Sequence, residues 1–417
     1  MKIRGNHHLT KAQLAESPSF VYTLCLLISL SALAIDTSLP AIPLIAKALG
    51  TGTEQAQLTI GIYLGGLALG QLPAGLLADR FGRRPVIMSG LSIFTCAALL
   101  CTLSSSIEML LAGRFLQGLT ASVGTVISRA MVRDVSSGRQ AARQMSLMVT
   151  ALGIWTLLGP VIGSGLILVG GWRSTFGLSV ATGLVTLGLL YLFVPETRPE
   201  QARVSPLNQL KTSFSAFCGS RQSLLGLALV ALPFGGYMTI VTQWSSVTVD
   251  VYRLPPAAFG PIFALAALAY MIGAMISRKW VGTYGVQAML KVSIWIFAAA
   301  TLILYLIMFL GDVSLPLLWI AITVYLLGIG LILPNATAWA LDPLPQVAGF
   351  GASIVGTAQI AFSSLMSAAG AAFYNGTILS MTALLTGAGT LTVVAYLLGQ
   401  LWLDRLRAKE PAEVPAP

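Results

Sequence analysis

Charged residues are scarce in this sequence. Asp, Glu, Lys and Arg make up 9% of its 417 residues, whereas about a quarter of the residues are charged in soluble domains. Hydrophobic residues make up 56%, and the mean hydropathy is +0.84. This balance excludes an ordinary soluble protein. It predicts an all-α membrane protein with many transmembrane helices.

Several catalytic and metal-binding groups are missing. The two histidines, His7 and His8, both precede the first apolar run, so no histidine is available within the spans for a metal site or a proton relay. The four cysteines show no metal-ligand spacing, and the absence of any Gly-Lys pair excludes an ATP-binding loop. We therefore expect no enzyme activity, no metal and no cofactor.

Acidic residues are also few, and one of them stands out by its position. Of fourteen Asp and Glu residues, Asp36 is the one placed well inside an apolar run, which extends from about Phe20 to Ala46. A charge near the bilayer interior costs roughly 2.5–3.5 kcal/mol, so such an acid is a candidate functional site. The alternative is an acid that reaches a nearby interface, or that begins a loop before Pro40 and Pro43. We interpret Asp36 as a proton-coupling group.

Twelve apolar runs are long enough to span a membrane. They lie near residues 20–46, 54–77, 86–104, 107–132, 142–168, 173–194, 222–248, 257–277, 287–310, 315–340, 347–373 and 378–403. The first run continues past Ala34, which predicts an uncleaved span rather than a signal peptide. The long polar connection at 195–221 divides the spans, which predicts a tail (1–19), a six-helix bundle (20–194), a linker (195–221), a second bundle (222–403) and a tail (404–417).

The basic residues predict the orientation of the spans. If both termini are cytoplasmic, twenty of the 24 Lys and Arg residues fall on the cytoplasmic side, as expected for positively charged inner loops. The net charge of +10 is therefore explained by topology, and we expect no nucleic-acid partner. Within the linker, Leu207, Leu210, Phe214 and Phe217 have helical spacing. They predict a short helix on the membrane surface or packed between the halves.

Residues 75–85, which read GLLADRFGRRP, resemble the loop motif of the major facilitator superfamily. Gly75 permits a close helix approach and Gly82 suits a tight turn, while Asp79 can bond a helix N-terminus or a nearby arginine. We predict a conformational latch; the alternative is a basic loop that only sets topology. Its residues are Gly75, Asp79, Arg80, Gly82, Arg83 and Arg84.

Residues 153–165, which read GIWTLLGPVIGSG, look like the antiporter signature of the same superfamily. Gly159 and Gly163 form one small face, and Pro160 removes a backbone hydrogen bond and bends the helix. Ser164 departs from the pattern, which usually has a glycine there. Gly153, Gly159, Pro160 and Gly163 are the predicted motif residues; the alternative is a helix with small residues that serve packing alone.

The segment Arg114-Phe-Leu-Gln117-Gly118 resembles the superfamily's motif with a buried arginine. In that fold the first and fourth helices line a central cavity, which implies that Arg114 and Asp36 form a direct or water-bridged pair. Arg114 would favour the ionised carboxylate, whereas burial disfavours it. The alternative is an Arg114 side chain that extends outward to the interface.

Residues 36–43, DTSLPAIP, together with Pro334-Asn335-Ala336 and Val347-Ala348-Gly349, resemble the bicyclomycin-resistance (Bcr/CflA) branch of drug-efflux proteins. This resemblance implies two bundles of six helices that rock between inward-open and outward-open states. It also implies proton-driven export of a small molecule across the bacterial inner membrane by a monomer. Candidate contacts in the cavity are Tyr63, Gln117, Gln243, Trp244, Asn335 and Gln359. Two alternatives stay open: a dedicated exporter of one metabolite, and a sensor or receptor that does not transport.

Overall fold

A computed structural model describes residues 11–198, 214–310, 313–344 and 348–407. The regular structure in these residues is helical. The helices in chain order are α1 (Lys11–Glu16), α2 (Pro18–Asp36), α3 (Ile42–Leu49), α4 (Thr53–Phe81), α5 (Arg83–Thr102), α6 (Ile107–Val135), α7 (Gly138–Gly170), α8 (Arg173–Phe193), α9 (Arg221–Ser246), α10 (Phe259–Ile307), α11 (Leu315–Leu341), α12 (Ala348–Ala372) and α13 (Leu379–Arg407).

The predicted number of spans is confirmed once a break in α10 is taken into account. Among the described residues, eleven helical segments are long and apolar enough to cross a membrane, and α2 and α3 together form the first of them. The segment Pro256–Ile307 has 52 residues, about twice the length that one span needs. Within it Gly285 has φ 80° and ψ 164°, which interrupts the helix. The segment therefore supplies two spans, and the total is twelve.

Close approaches of the backbone hold α4 against α6. A Cβ atom added at Gly118 would lie 2.0 Å from the Tyr63 carbonyl oxygen, and one added at Gly66 would lie 2.3 Å from the carbonyl oxygen of Phe115. Helices in a membrane associate through such small residues because no hydrophobic effect drives them together. This packing fixes Tyr63 beside the helix that carries Arg114.

The backbone contacts group the chain into two compact units. The first contains residues 1–209, 238–268 and 360–381, and the second contains 210–237, 269–359 and 382–417. The first unit holds α2 to α8, which carry most of the predicted site residues. The second has an aromatic core in which the rings of Phe297 and Tyr325 lie 4.5 Å apart. The bundle boundaries at 20–194 and 222–403 stay a prediction.

The predicted linker helix lies partly outside the described residues, as do the two tails. Residues 214–219 of it are helical. Phe217 is buried, and a Cβ added at Gly351 would lie 3.6 Å from its ring, whereas Phe214 is exposed. The described part of this linker thus packs on protein through Phe217.

Candidate functional site

The first span breaks immediately after Asp36, because the sequence that follows cannot continue the helix. Pro40 has no N–H to donate to the Asp36 carbonyl oxygen, which is its partner in a regular helix. The hydroxyls of Thr37 and Ser38 instead bond back to the carbonyl oxygens of Leu33 and Ile35, each at 2.7 Å. Asp36 is therefore the last residue of α2, and its side chain is buried, with 5% exposure.

Arg114 lies on α6 and is fully buried. Its Nη1 donates to the Ala34 carbonyl oxygen at 3.0 Å and to Gln117 Oε1 at 2.8 Å, and its Nε donates to the Thr59 carbonyl oxygen at 3.3 Å. Ala34 lies in the last turn of α2, so the guanidinium places a positive charge at the negative end of a helix dipole. This contact ties Arg114 to the helix end that carries Asp36.

Aromatic rings complete the surroundings of Arg114. The guanidinium carbon lies 4.4 Å from the centre of the Tyr63 ring and 5.5 Å from that of Phe176. Both distances fall within the range of cation–π attraction. Tyr63 is held in place because its hydroxyl donates to the Ser31 carbonyl oxygen at 3.3 Å. The ring of Tyr63 thus connects Arg114 to α2.

Asp36 and Arg114 share the end of α2 without forming an ion pair. The two ion pairs within the described residues both belong to Arg83, and the side chain next to the Asp36 carboxylate is that of Thr156 on α7. Two buried donors of α6, Arg114 Nη2 and Gln117 Nε2, have no hydrogen-bond partner among the described protein atoms. The arrangement therefore contains a buried acid, a buried cation and unused donors at one break in a helix.

The two glycines predicted to form a small face on α7 meet this break directly. A Cβ added at Gly159 would lie 2.6 Å from Asp36 Cβ, and one added at Gly163 would lie 2.2 Å from the Thr37 carbonyl oxygen. Both distances are shorter than real Cβ contacts allow. Gly153, by contrast, has open space around it. Of the three predicted glycines, Gly159 and Gly163 therefore pack against the end of α2, and Gly153 does not.

The opposite side of the α7 bend meets the start of α10. A Cβ added at Gly260 would lie 2.3 Å from the Pro160 carbonyl oxygen, and the Gly260 N–H donates to Ser164 Oγ at 2.9 Å. Ser164 departs from the usual glycine of the signature, and its hydroxyl here supplies a contact that glycine lacks. Gly260 was not identified from the sequence, because it lies 96 residues from Ser164 and carries no local signal.

The charged loop between α4 and α5 forms a compact cluster. Arg83 pairs with Asp79 one helical turn away and, through Nε, with Asp134 of α6 at 3.1 Å. Arg80 stacks on the neighbouring Phe81 ring, with 5.1 Å between the guanidinium carbon and the ring centre. Gly75 does not sit at a very close helix approach, because an added Cβ would lie 3.7 Å from the Val126 side chain, which is an ordinary van der Waals distance. Within this unit the loop ties α4, α5 and α6 together.

Glu196 also belongs to this cluster. From the sequence it could be assigned only to the linker. Its carboxylate accepts the backbone N–H groups of Arg83 and Arg84 at 2.9 and 3.0 Å, at the N-terminus of α5. A carboxylate at this position complements the helix dipole. Gly82 makes the approach possible, since its φ of 102° disfavours other residues and a Cβ there would lie 2.6 Å from Glu196 Oε2.

If the loop is the conformational latch that its resemblance implies, Asp134→Asn should slow the exchange between states at least as much as Asp79→Asn, because Arg83 contacts both acids. A hydrogen bond to a charged group is worth about 1.5–3 kcal/mol, so either change should slow exchange between states several-fold. Initial rates of substrate efflux, measured at equal membrane abundance, test this. The matched control is Glu54→Gln, an exposed acid in the first turn of α4. Wild-type rates in both cluster variants would reduce the motif to a topology signal.

The residues predicted to line a cavity are mostly buried. Tyr63, Gln117, Gln243, Trp244 and Asn335 are each at most 2% exposed, whereas Gln359 is half-buried. Gln117 contacts Arg114, and Tyr63 lies against it. Gln243 donates to the Gly370 carbonyl oxygen and accepts from Ser380 at 3.1 Å, and Asn335 donates to Ser277 at 2.7 Å. The structure thus brings Tyr63 and Gln117 to the Arg114 site, while Gln243 and Asn335 join helices elsewhere.

Comparison with known proteins agrees with this architecture. The sequence profile of the family described as Major Facilitator Superfamily matches residues 24–371. YdgK of Bacillus subtilis (strain 168), described as an uncharacterized MFS-type transporter, is 31% identical over 357 residues, which cover 84% of this chain and 88% of YdgK. A bicyclomycin resistance protein homolog of Haemophilus influenzae is 28% identical over 380 residues, which cover 90% of this chain and 95% of the relative.

Solved structures show the same fold. The crystal structure of a D-xylose-proton symporter superposes on this chain with a TM-score of 0.73 at 15% identity. The superposition covers 92% of this chain and 97% of the symporter. At this identity the likeness establishes the arrangement of the helices.

Proposed function

Because the chain belongs to the major facilitator superfamily, a family of membrane transporters, we propose that it exports small amphipathic compounds, such as antibiotics, in exchange for protons. The observation that carries this proposal is the buried Asp36 at a helix break, together with a buried Arg114 that bonds the same helix end and forms no ion pair in the described part of the chain. The bicyclomycin resistance homolog supports a drug-like substrate. The carrier works as a monomer in the bacterial inner membrane, with both termini in the cytoplasm and no cofactor.

Asp36 is the proton site of the proposed cycle. An ionised carboxylate within a span is costly unless it meets a cation or water. Proton loss would make the carboxylate an acceptor for the unused Arg114 Nη2 donor, which belongs to a side chain already anchored at Ala34. Protonation would remove the attraction to Arg114 and leave the carboxyl group beside Thr156 of α7. The carboxylate thus changes partner with its charge, and α7 and α6 respond to the change.

Substrate and proton compete for this site in the proposed exchange. Gln117 Nε2 and Arg114 Nη2 are buried donors, so a carbonyl, ether or hydroxyl oxygen of the substrate can accept from them while Asp36 loses its proton. Neutral or singly charged amphipathic compounds suit a site with one acid and one base. Each proton that moves inward across the membrane gains about 2.3 kcal/mol per 100 mV, which drives export against a gradient.

Alternating access in this proposal breaks a set of contacts at the Thr53 end of α4. The distribution of basic residues predicts that this end lies on the outer side of the membrane. Gln57 Nε2 donates to Ser246 Oγ at 2.8 Å, and Ser364 Oγ donates to the Gly61 carbonyl oxygen at 2.8 Å. The Ser164–Gly260 hydrogen bond is a third contact of this kind. All three are neutral, and a neutral hydrogen bond contributes only about 0.5–1.5 kcal/mol. Contacts of this strength can open and re-form in every cycle.

A susceptibility panel tests the proposed function. A host that lacks its own efflux pumps should become more resistant to at least one of ethidium, tetraphenylphosphonium, chloramphenicol and bicyclomycin when it produces the wild-type protein. Asp36→Asn should restore the susceptibility of the empty host, and a protonophore should abolish ethidium efflux. Glu54→Gln serves as the control and should keep wild-type resistance. Release of one metabolite without any resistance would favour a dedicated exporter, and ligand binding without transport would favour a sensor.

A further inference from the structure

Arg84, in the first turn of α5, has a guanidinium that forms no ion pair within the described residues. Both ion pairs within the described residues are made by its neighbour Arg83. The Arg84 guanidinium uses Nη2 to donate to the Tyr191 carbonyl oxygen at 3.2 Å. Its Nε–H is buried and has no hydrogen-bond partner among the described protein atoms. A buried donor without an acceptor is unfavourable, so the hydrogen bonds of this guanidinium are incomplete, and a cation without an ion-pair partner favours an anion.

The side chain of Arg84 also lines a surface groove that continues onto apolar helix surface. It is lined by Arg84, Pro85, Met88, Tyr191 and Glu196. Tyr191 is 63% exposed, and its ring centre lies 5.7 Å from the Arg84 guanidinium carbon. The groove lies at one end of α5 and α8, which are both long and apolar enough to span a membrane. A tyrosine at such a position is typical of the boundary between lipid headgroups and acyl chains.

The surface of α8 beyond Tyr191 is smooth and apolar. Gly188, one helical turn away on the same face, is exposed and has open space where a Cβ would stand. Leu184 continues this face and is 58% exposed. A long hydrocarbon chain can therefore lie along α8 with its polar end at Arg84.

Glu196, the acid in the groove wall, does not repel an anion as a free carboxylate would. Its two oxygens accept four backbone N–H groups, from Arg83, Arg84, Thr197 and Arg198, at 2.9 to 3.0 Å. These donors include the N-terminus of α5, whose dipole offsets the negative charge. Arg84 is therefore the charged side chain of the groove that is left to attract a ligand.

We propose that this groove binds one anionic phospholipid. Its phosphate pairs with the Arg84 guanidinium, the Tyr191 ring lies at the level of the glycerol backbone, and one acyl chain follows α8 past Gly188. The apolar lining from Pro85, Met88 and Tyr191 favours a lipid over a soluble phosphate, since a soluble anion covers none of it. Basic pockets between spans are suited to anionic headgroups in this way. The proposal does not depend on the proposed transport function.

Native mass spectrometry of the purified full-length protein tests the proposal. Phosphatidylglycerol should bind in preference to phosphatidylcholine, with one tightly bound molecule per chain. Arg84→Met should weaken phosphatidylglycerol binding roughly five- to tenfold, as expected for a lost charge-assisted hydrogen bond, and should remove the preference. Gly188→Phe, which blocks the acyl path without changing charge, should weaken both lipids. The control is Arg139→Met, an exposed arginine in the first turn of α7, which should bind as the wild type does.

Four outcomes would overturn the proposal. These are equal binding of the two lipids by the wild-type protein, unchanged phosphatidylglycerol binding by Arg84→Met, an equal loss in Arg139→Met, and displacement of the lipid by inorganic phosphate at millimolar concentration. The last result would identify a site for soluble anions instead of a lipid site.

Discussion

We expect purified Asp36→Asn to release no protons when a transported drug is added, although the drug should still bind. Asparagine has nearly the same shape as aspartic acid, so it can keep the close packing against Gly159. A Cβ added at Gly159 would lie only 2.6 Å from Asp36 Cβ. It cannot lose a proton and cannot carry the charge that would attract Arg114. Active export should therefore fall to the level of vesicles without the protein. Exchange of labelled drug across the membrane without a gradient should continue.

A pH-sensitive dye in weakly buffered detergent solution measures the release, and a binding titration of the same sample confirms that the drug is bound. Glu54→Gln is the matched control, because it removes an acid that is exposed and should leave release unchanged. Arg114→Ala should also lose active export, since it removes the cation at the end of α2 and leaves the Ala34 and Thr59 carbonyl oxygens without their donor. Undiminished proton release from Asp36→Asn would place the proton site elsewhere.

The spans and the position of Asp36 could be predicted from the sequence, because each depends on residues that are close together in the chain. A run of apolar residues marks a span wherever it occurs. Pro40, four residues after Asp36, accounts for the end of α2 at that acid. Gly159 and Gly163, four residues apart, share a face of α7 in any helix, and the structure places that face on the end of α2.

The partners of the charged groups could not be predicted, because they come from distant segments and often from the backbone. Arg114 donates to the Ala34 carbonyl oxygen, 80 residues away, and every residue has such an oxygen. The prediction of a direct or water-bridged pair of Asp36 and Arg114 rested on their similar depth in the membrane, whereas carbonyl oxygens and Gln117 accept the hydrogen bonds of Arg114 in the structure. Glu196 reaches the N-terminus of α5 only because α8 ends beside it, and no local pattern announces this.

The surroundings of the predicted cavity residues could not be predicted either, because they too depend on distant segments. Gln243 and Asn335 are polar residues in apolar spans, a pattern that is typical of residues that line an aqueous path and also of residues that join helices. In the structure their amides are hydrogen-bonded to other helices, because a polar group in a span needs a partner. Sequence alone contains no information on which of the two surroundings each residue meets.

Gly159→Val should abolish export, and the contrast with Gly153→Val should show why. Real Cβ atoms do not approach one another as closely as the 2.6 Å that separates a Cβ at position 159 from Asp36 Cβ. Valine would add two further methyl groups, so α7 would have to move away from α2. Overpacking of this kind typically costs about 1–3 kcal/mol, and the displaced α7 would carry Thr156 away from the Asp36 carboxylate.

Gly153 lies on the same helix with open space around it, so Gly153→Val controls for the lower helix propensity of valine and for the loss of a glycine. We expect Gly153→Val to export at near wild-type rates. Gly159→Ala should be intermediate, because a single methyl requires a smaller shift. Membrane abundance and thermal unfolding of each variant, measured alongside ethidium efflux, separate loss of the fold from loss of transport. Wild-type export by Gly159→Val would show that contact between α7 and the end of α2 is not required in the transport cycle, and the role assigned to this glycine face would then fail.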